Sequence, residues 1–391
     1  MATSVPFPRS FSKSAVKEQA ASIPWYIWMS ALGVASAMIG VHWDISWHRT
    51  IGRDTFWTPA HLAIQLCGVL AGITCGYLIL ATTFTNSPLR ASSVNVLGFR
   101  GPLGAFISAW GGFTMITSAP FDDWWHNAYG LDVKILSPPH IVLALGMAGV
   151  EVGALVLIGA IMNRSSGTQR NRLELLFLYI ASMIAVMLNT VILELTHRVL
   201  MHNAVSYQSV AMLIPVVLAI ASRATGRRWA ATIVTAFYSI FMLAMLWILP
   251  LFPAQPKLGP VFHPIDHFIP NGFPLLLIVP AIALDLLMPR MAGWKTWRVA
   301  LVSGLLFVAV YFAAQWPFAD FLQSPLARNP IFGSTYEGYN QLPQGYSMTF
   351  RFAPPDTPSE FRTGMLMAFV FAILSTGVGL VTGDWLKRVR R

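Results

Sequence analysis

Long apolar segments alternate with short polar connections along most of the chain, and this pattern predicts its elements. A segment that crosses a bilayer needs about 20 apolar residues and must satisfy its own backbone hydrogen bonds, which favours helices. We therefore expect an all-α polytopic transmembrane bundle of about ten spans. The spans are predicted at 24–41, 59–81, 103–119, 139–162, 173–195, 208–222, 230–250, 272–288, 299–317 and 363–383, with the short ones at 103–119, 208–222 and 272–288 open to a re-entrant or tilted arrangement.

The composition agrees with a membrane protein. Of the 391 residues, 55% are hydrophobic and only 11% are charged, whereas soluble domains carry about 25% charged residues. This excludes an ordinary soluble enzyme, and the 13% of aromatic residues excludes a disordered chain. The formal charge of +10 would suggest nucleic acid in a soluble protein, but basic loops that orient membrane spans explain it better. No nucleic-acid partner is expected.

Basic residues concentrate in alternate connections and at both termini. By the positive-inside rule these segments face the cytoplasm, which predicts an N-in, C-in topology in the inner (cytoplasmic) membrane. The basic residues concerned are Arg9, Lys13, Lys17, Arg90, Arg100, Arg164, Arg170, Arg172, Arg223, Arg227, Arg228, Arg290, Lys295, Arg298, Lys387, Arg388, Arg390 and Arg391.

All nine histidines fall in the other, outward-facing connections or at their membrane edge. They are His42, His48, His61, His126, His140, His197, His202, His263 and His267. Ionisable residues at a membrane face mark functional positions. Since acidic residues accompany these histidines, we expect a polar centre on the periplasmic side.

Two of the outward connections carry the same pattern of carboxylates and imidazoles. Each contains Asp, three residues, His, then Gly-x-Asp, then Pro-x-His at the start of the next span. The first copy contains Asp44, His48, Asp54 and His61, and the second contains Asp122, His126, Asp132 and His140.

This spacing has a physical reason. Residues four apart on a helix project from one face, so Asp44 approaches His48 and Asp122 approaches His126. A proline suits the first turn of a helix, so the following histidine returns to the same membrane edge. Two imidazoles and one carboxylate form a three-ligand set with an open position, typical of reactive metal sites. The alternative is that these groups only cap helices and link loops.

The first copy resembles a known ligand segment. The pattern Asp44-x3-His48-x-Thr-Ile-x-Arg-Asp-Thr-x2-Thr-Pro-x-His61 is similar to that of the C subunit of copper membrane monooxygenases, the particulate methane and ammonia monooxygenases. The resemblance covers about residues 24–162. It implies copper ligation by Asp44, His48 and His61, and an adjacent copper site where the family has Asn, His and His.

The second site would consist of Asp122, His126 and His140, to which we assign the catalytic role. Asp122 stands where the family has asparagine, so this site carries an additional negative charge, which favours a harder or more oxidised metal. Copper at one or two sites is expected, ahead of iron or zinc.

The chain after residue 162 shows no resemblance to that subunit. We therefore divide it into a C-subunit-like half, 1–162, and an additional membrane half, 163–391, with a long outward loop at 318–362 that suits a lid or a partner surface. Two further clusters have two possible roles each: they are metal ligands or proton relays, or they are hydrogen-bonded anchors of the loops. These are Glu194, His197 and His202 at the end of the fifth span, and His263 with His267 before the eighth.

Three functions follow from these patterns. The first is a copper monooxygenase, or its metal-binding subunit, that uses O2 to oxidise a small substrate such as a short alkane or ammonia. The second is a di-iron membrane hydroxylase, although such enzymes keep denser histidine boxes on the cytoplasmic side. The third is a non-catalytic copper-binding accessory protein. The apolar spans imply membrane lipid as a partner. The resemblance adds other monooxygenase subunits, a quinol or other electron donor, and a homo-oligomer, expected to be a trimer.

Overall fold

The computed structural model describes residues 22–52, 55, 57–130, 137–342 and 350–391. Within these ranges the chain is almost entirely helical, which confirms the all-α prediction. Its α-helices are α1 (Trp25–Thr50), α2 (Pro59–Phe84), α3 (Leu103–Tyr129), α4 (Pro138–Met162), α5 (Gly167–Val191), α6 (Ala204–Thr225), α7 (Ala230–Ile248), α8 (Ile278–Leu287), α9 (Thr296–Gln323) and α10 (Pro358–Leu386). A two-stranded antiparallel hairpin, β1 (Val94–Val96) and β2 (Phe99–Gly101), connects α2 to α3.

Every predicted span overlaps a helix, and eight helices are long and apolar enough to cross a membrane. These are α1, α2, α4, α5, α6, α7, α9 and α10, so the chain has the character of a multi-pass membrane protein. The helix α8 has only 10 residues and is about 15 Å long, half the thickness of a bilayer core. The predicted span at 272–288 is therefore helical only from Ile278. The ten-span count and the N-in, C-in orientation stay predictions.

The segment before α8 is non-helical and mostly buried between residues 268 and 277. Irregular backbone is tolerated at membrane depth only where protein covers it or where it lines a cavity. Polar side chains from other helices satisfy some of the backbone hydrogen-bond donors of this segment. Gln315 accepts a hydrogen bond from the Leu276 amide at 2.9 Å, and the Tyr238 hydroxyl accepts one from the Leu275 amide at 3.3 Å.

The connections gather at two ends of the bundle. At one end, which we call the histidine end, the carboxyl-terminal ends of α1, α3 and α5 meet the amino-terminal ends of α2, α4 and α6. Backbone hydrogen bonds tie the later connections to this end, from Tyr339 N to Arg49 O at 3.2 Å and from Ala353 N to Val199 O at 2.8 Å. The outward loop predicted at 318–362 is shorter than expected, because α9 continues to Gln323 and α10 begins at Pro358.

The opposite end carries many of the basic residues. There Arg223 pairs with Asp384 at 3.1 Å and Arg227 pairs with Glu174 at 3.3 Å. The Asn163 side chain donates to the carbonyls of Leu386 and Val389 at 2.8 Å each. The basic and histidine-bearing connections thus lie at different ends, as the charge pattern predicted.

Small residues bring the helix pairs α1–α2 and α3–α4 into close contact. A Cβ atom on Gly40 would lie 2.7 Å from the Ile64 nitrogen, and one on Gly111 would lie 2.5 Å from the Val150 nitrogen. Close backbone approach through small residues is a general mode of helix packing in membranes. Because Asp44 follows Gly40 by one turn, the same contact carries Asp44 toward the first turn of α2.

One continuous apolar core joins the two predicted halves. It includes Ala37 and Val150 from the first half together with Phe177, Tyr238 and Leu386 from the second. The division at residue 162 therefore remains a prediction about sequence resemblance, while packing across that boundary is continuous.

Candidate metal centre

Helix capping places one histidine of each set. Thr58 caps α2 and Ser137 caps α4, and each side-chain oxygen accepts a hydrogen bond from the backbone nitrogen of the histidine three residues later, at 3.4 Å in both cases. A proline occupies the first helical turn in between, where its missing N–H costs nothing. The Thr/Ser-Pro-x-His pattern therefore fixes His61 and His140 in the first turns of α2 and α4.

The first set assembles where α1 ends and α2 begins. Asp44 and His48 occupy the last two turns of α1, and their atoms Oδ2 and Nε2 are 3.8 Å apart. His61 Nε2 lies 3.1 Å from Asp44 Oδ1. One ligand atom from each of the three side chains can be chosen so that all lie within 4.8 Å of one another.

The second set repeats this arrangement where α3 ends and α4 begins. His126 Nε2 lies 3.3 Å from Asp122 Oδ2, and His140 Nε2 lies 3.7 Å from Asp122 Oδ1. Asp122 thus lies between two imidazoles, as Asp44 does. This set is more open than the first: among the described residues, only the first set meets the 4.8 Å limit.

The ring orientations suit a bound cation. His61 Nδ1 lies 3.1 Å from the Thr55 carbonyl and His126 Nδ1 lies 3.3 Å from the Gly130 carbonyl. Because a carbonyl only accepts, Nδ1 donates in this orientation, and Nε2 is the ring atom that faces the carboxylate. A metal ion or a second proton between Nε2 and the carboxylate oxygen would make such a contact favourable.

The distances and the carboxylates fit the same conclusion. Two ligand atoms bound to a tetrahedral ion at about 2.0–2.1 Å are about 3.3 Å apart. The shorter carboxylate–imidazole separation in each set is close to this value, at 3.1 and 3.3 Å, and the longer ones are 3.8 and 3.7 Å. Asp44 Oδ1 and Asp122 Oδ1 are buried and lack a hydrogen-bond donor among the described residues. The residues present therefore fit a transition-metal ion, and their assignment as ligands stays a prediction.

Both sets open onto one cavity of about 650 Å³ at the histidine end. Five of the six predicted ligands line it, with His126 the exception, and Glu194 and His197 line it as well. Much of the remaining wall is apolar and includes methionines of α1, α4, α5 and α7. The two halves of the chain therefore enclose the candidate centres together.

The other predicted histidines lie outside this cavity. The His202 ring is stacked between Trp316 and Phe352, with ring centroids at 4.0 and 3.7 Å, and its Nε2 lies 3.3 Å from Asp320. The structure thus gives His202 the environment of a loop anchor.

The histidines before α8 also form local pairs. His263 Nε2 lies 3.1 Å from Glu337 Oε2, and His267 Nδ1 lies 2.6 Å from Asp266 Oδ1. The hydrogen bond from His267 lowers the pKa of the exposed Asp266 carboxyl. The first pair links two connections of the histidine end, and the second lies within one connection. Neither pair lines the cavity.

Glu194 and His197 differ from their predicted setting. The helix α5 ends at Val191, so both residues lie in the turns that follow it and not at the end of the helical span. Burial, and then the nearby Arg198 and Arg49 charges, lower the pKa of His197 from 6.5 to about 4. His197 is therefore neutral at pH 7.

This shift predicts a pH dependence of stability. Between about pH 6.5 and pH 4 the unfolded chain takes up a proton at His197 and the folded chain does not, so the free energy of unfolding falls as the pH falls through this window. We expect the melting temperature of the metal-free protein to fall less steeply there in His197→Gln than in the wild type. Equal slopes in His197→Gln and the wild type would contradict the assignment.

Three cavity residues were missed from the sequence. Arg49 lies inside the first motif and Arg198 lies next to His197, so both are part of segments that the sequence analysis examined. They were not selected because a guanidinium cation does not bind a metal ion. Asn271 lies in the non-helical segment before α8, and no sequence signal marked it. All three line the cavity. Asp54 and Asp132, the remaining members of the repeated pattern, lie outside the described residues.

No protein-family model, curated protein or solved structure matches the chain. The resemblance of residues 24–162 to the monooxygenase C subunit therefore depends on the two motifs themselves.

Proposed function

We propose that this protein is a copper-dependent membrane monooxygenase, or the metal-binding subunit of one, that uses O2 to oxidise a small substrate in the cavity at the histidine end. The observation that carries this proposal is the repeated arrangement of a carboxylate between two imidazoles, with both copies open to one cavity. By the charge pattern, this end faces the periplasm.

The side chains have distinct roles in this proposal. Asp44 with His48 and His61 holds one copper ion, and Asp122 with His126 and His140 holds the second at the catalytic position. The carbonyls of Thr55 and Gly130 fix the orientation of two of the rings, as hydrogen-bond partners of ligating histidines do in metal proteins. The chemistry that bound copper supplies is the transfer of single electrons to O2.

The surroundings of the sets support a reaction site. Methionine, leucine and isoleucine side chains line the same cavity and limit the access of water to it. A low dielectric strengthens the attraction between each aspartate and its metal ion. Electrons would come from a quinol dissolved in the membrane lipid or from a partner subunit, as the resemblance implies.

The di-iron alternative has less support from the described residues. A di-iron hydroxylase needs a dense histidine cluster around two neighbouring ions, but His202, His263 and His267 lie outside the cavity, in ring stacks and local pairs. Both compact sets instead have two imidazoles and one carboxylate.

Metal analysis of aspartate variants tests the proposal. Asp44→Ala and Asp122→Ala should each lose one of two copper equivalents, since each carboxylate lies between two imidazoles. Asp123→Ala is the matched control, because this neighbour of Asp122 is exposed and its carboxylate contacts Asn127, at 3.3 Å, and none of the predicted ligands. Element analysis of the purified proteins measures the effect.

Oxygen consumption with a quinol donor completes the test. The wild type and Asp123→Ala should consume O2 in the presence of substrate, and Asp122→Ala should not. Iron as the only bound metal would overturn the copper assignment. Copper binding without oxygen consumption, even when other membrane subunits are supplied, would reduce the protein to a non-catalytic copper-binding role.

A further inference from the structure

Two arginine side chains reach the cavity, and neither forms a direct ion pair within the described part of the chain. Arg49 and Arg198 both line it, and among the described residues neither has a carboxylate within ion-pair distance. Arg49 Nη1 donates to the Pro270 carbonyl, and Arg198 Nη1 donates to the Ser334 carbonyl at 3.1 Å. Arg198 Nε is buried and finds no acceptor within the described ranges. Backbone carbonyls therefore hold both guanidinium groups in place without neutralising their charge.

A buried amide lies beside these cations. Asn271 is only 4% exposed, and it lines the same cavity. Neither Nδ2 nor Oδ1 of Asn271 has a hydrogen-bond partner in the described part of the chain. Its neighbour Pro270 accepts the hydrogen bond from Arg49, so the amide and the guanidinium group belong to one corner of the cavity. Buried polar groups without partners are rare in proteins, and a bound ligand would satisfy this one.

The charges in this corner favour a monoanion. Arg49 and Arg198 lie close enough to repel each other, and both act on His197. Among the described residues, the acidic group that offsets Arg198 is Glu337, which is itself paired with His263 at 3.1 Å. Since burial of an unpaired charge is costly, one additional negative charge would stabilise the pair of guanidinium groups.

The size of the cavity indicates more than an ion. Its volume of about 650 Å³ is typical of sites for drug-sized molecules and far exceeds what methane or ammonia needs. The wall that the arginines share with the two Asp/His sets also includes Met38, Ile64, Leu143 and Met147. A molecule with one charged end and an apolar body matches both parts of the wall.

We propose that the cavity binds an aliphatic monocarboxylate, with its carboxylate on Arg49, Arg198 and the Asn271 amide and its hydrocarbon chain directed toward the two Asp/His sets. The carboxylate accepts from planar guanidinium donors, a geometry that suits it well. The binding stands on the cavity alone, whereas the role of this molecule as the substrate rests on the proposed function. In that role an aliphatic C–H bond and O2 become C–OH and water, with two electrons and two protons from a quinol.

Calorimetry with hexanoate tests the binding. The full-length protein in lipid nanodiscs is titrated with hexanoate, hexan-1-ol and hexanamide, with protein-free nanodiscs as the blank for partition into lipid. We expect hexanoate to bind at least about 10-fold more tightly than the two neutral molecules, because they lack the charge-assisted hydrogen bonds. Equal affinity for all three would overturn the proposal.

Variants locate the carboxylate. Arg49→Gln and Arg198→Gln should each weaken hexanoate binding at least about 10-fold and leave hexan-1-ol unchanged. Arg362→Gln is the matched control, because Arg362 is exposed, donates to the Pro358 carbonyl at 3.0 Å and does not line the cavity. Asn271→Asp keeps the shape of the side chain and adds a negative charge, so it should abolish hexanoate binding even where an arginine variant fails to fold.

Two further measurements separate the possible failures. Titration after removal of metal by a chelator should still show hexanoate binding. A protein that binds hexanoate but no copper would therefore contradict the proposed copper function and still support the monocarboxylate site. Chloride or inorganic phosphate that competes as strongly as hexanoate would show a site for small ions only, and would reject the monocarboxylate.

Discussion

Replacement of Gly111 by alanine is expected to separate α3 from α4 and to disrupt the second Asp/His set. The new Cβ atom would lie 2.5 Å from the Val150 nitrogen and 2.6 Å from the Gly146 oxygen. Both contacts are with backbone atoms, which cannot rotate away as a flexible side chain could. Gly104, Ser108, Gly111, Met115, Ser118 and Asp122 follow one another at spacings of three or four residues, so the helix face that packs on α4 is the one that presents Asp122 to His140.

The cost should be large for a single methyl group. Overpacking typically destabilises by 1–3 kcal/mol, and we expect about 3 kcal/mol here because α4 as a whole must move. Copper should be lost from the second set before the first. The contact between α1 and α2 that positions the first set is made at Gly40 and does not involve α3. Melting temperature and copper content measure the two effects.

Gly72→Ala is the matched control for this substitution. Gly72 lies in α2, and a methyl group added there would meet no described atom within 4 Å, while alanine favours a helix more than glycine does. The control should therefore be as stable as the wild type or slightly more so. A Gly111→Ala protein that melts like the control and keeps two copper ions would show that this contact does not position the second set.

The second large effect is a loss of copper affinity, which we expect when phenylalanine replaces His140 but not when it replaces His202. In His140→Phe the second set loses an imidazole, and its copper affinity should fall at least about 100-fold, beyond the 10–100-fold cost of losing a group that only orients a ligand. In His202→Phe the new ring can keep the stack between Trp316 and Phe352, and only the contact with the half-exposed Asp320 is lost. The affinity for copper should then stay within about twofold of the wild type, because exposed ion pairs contribute little.

Competition with a copper chelator of known affinity measures both variants. The melting temperature separates a lost ligand from a lost fold, since His140→Phe should remain folded. A drop in copper affinity in His202→Phe, with the stack and the melting temperature preserved, would return His202 to the set of ligands. Unchanged affinity in His140→Phe would remove the second set from the candidate centre.

Local spacing accounts for the part of the candidate site that was predictable. Asp44 with His48 and Asp122 with His126 lie one helical turn apart, so any helix through these residues brings each pair together. Thr58 and Ser137 cap the following helices, and the proline next to each cap places His61 and His140 in the first turn. Each of these features depends on contacts within a few residues, which a sequence pattern describes directly.

Other features depend on contacts between distant segments, which no local pattern describes. His197 and His202 are five residues apart, yet one lines the cavity and the other lies between two aromatic rings. The packing of α9 and of residues 350–357 decides this difference. Likewise, apolar composition predicted a short span at 272–288, open to a re-entrant or tilted arrangement, and only the structure shows that residues before Ile278 are non-helical. This buried segment finds hydrogen-bond partners in Tyr238 and Gln315, on other helices.

The amino-acid sequence alone defines a helical membrane protein with two copies of an Asp/His ligand pattern, because apolar length and helical periodicity are properties of short segments. Only the folded chain shows that both copies open onto one cavity, and that Arg49, Arg198 and Asn271 share it. These residues come together because glycine contacts join the first four helices in close pairs and the later connections close over them. Such proximity is a property of packing between helices, and it emerges only when the whole bundle assembles.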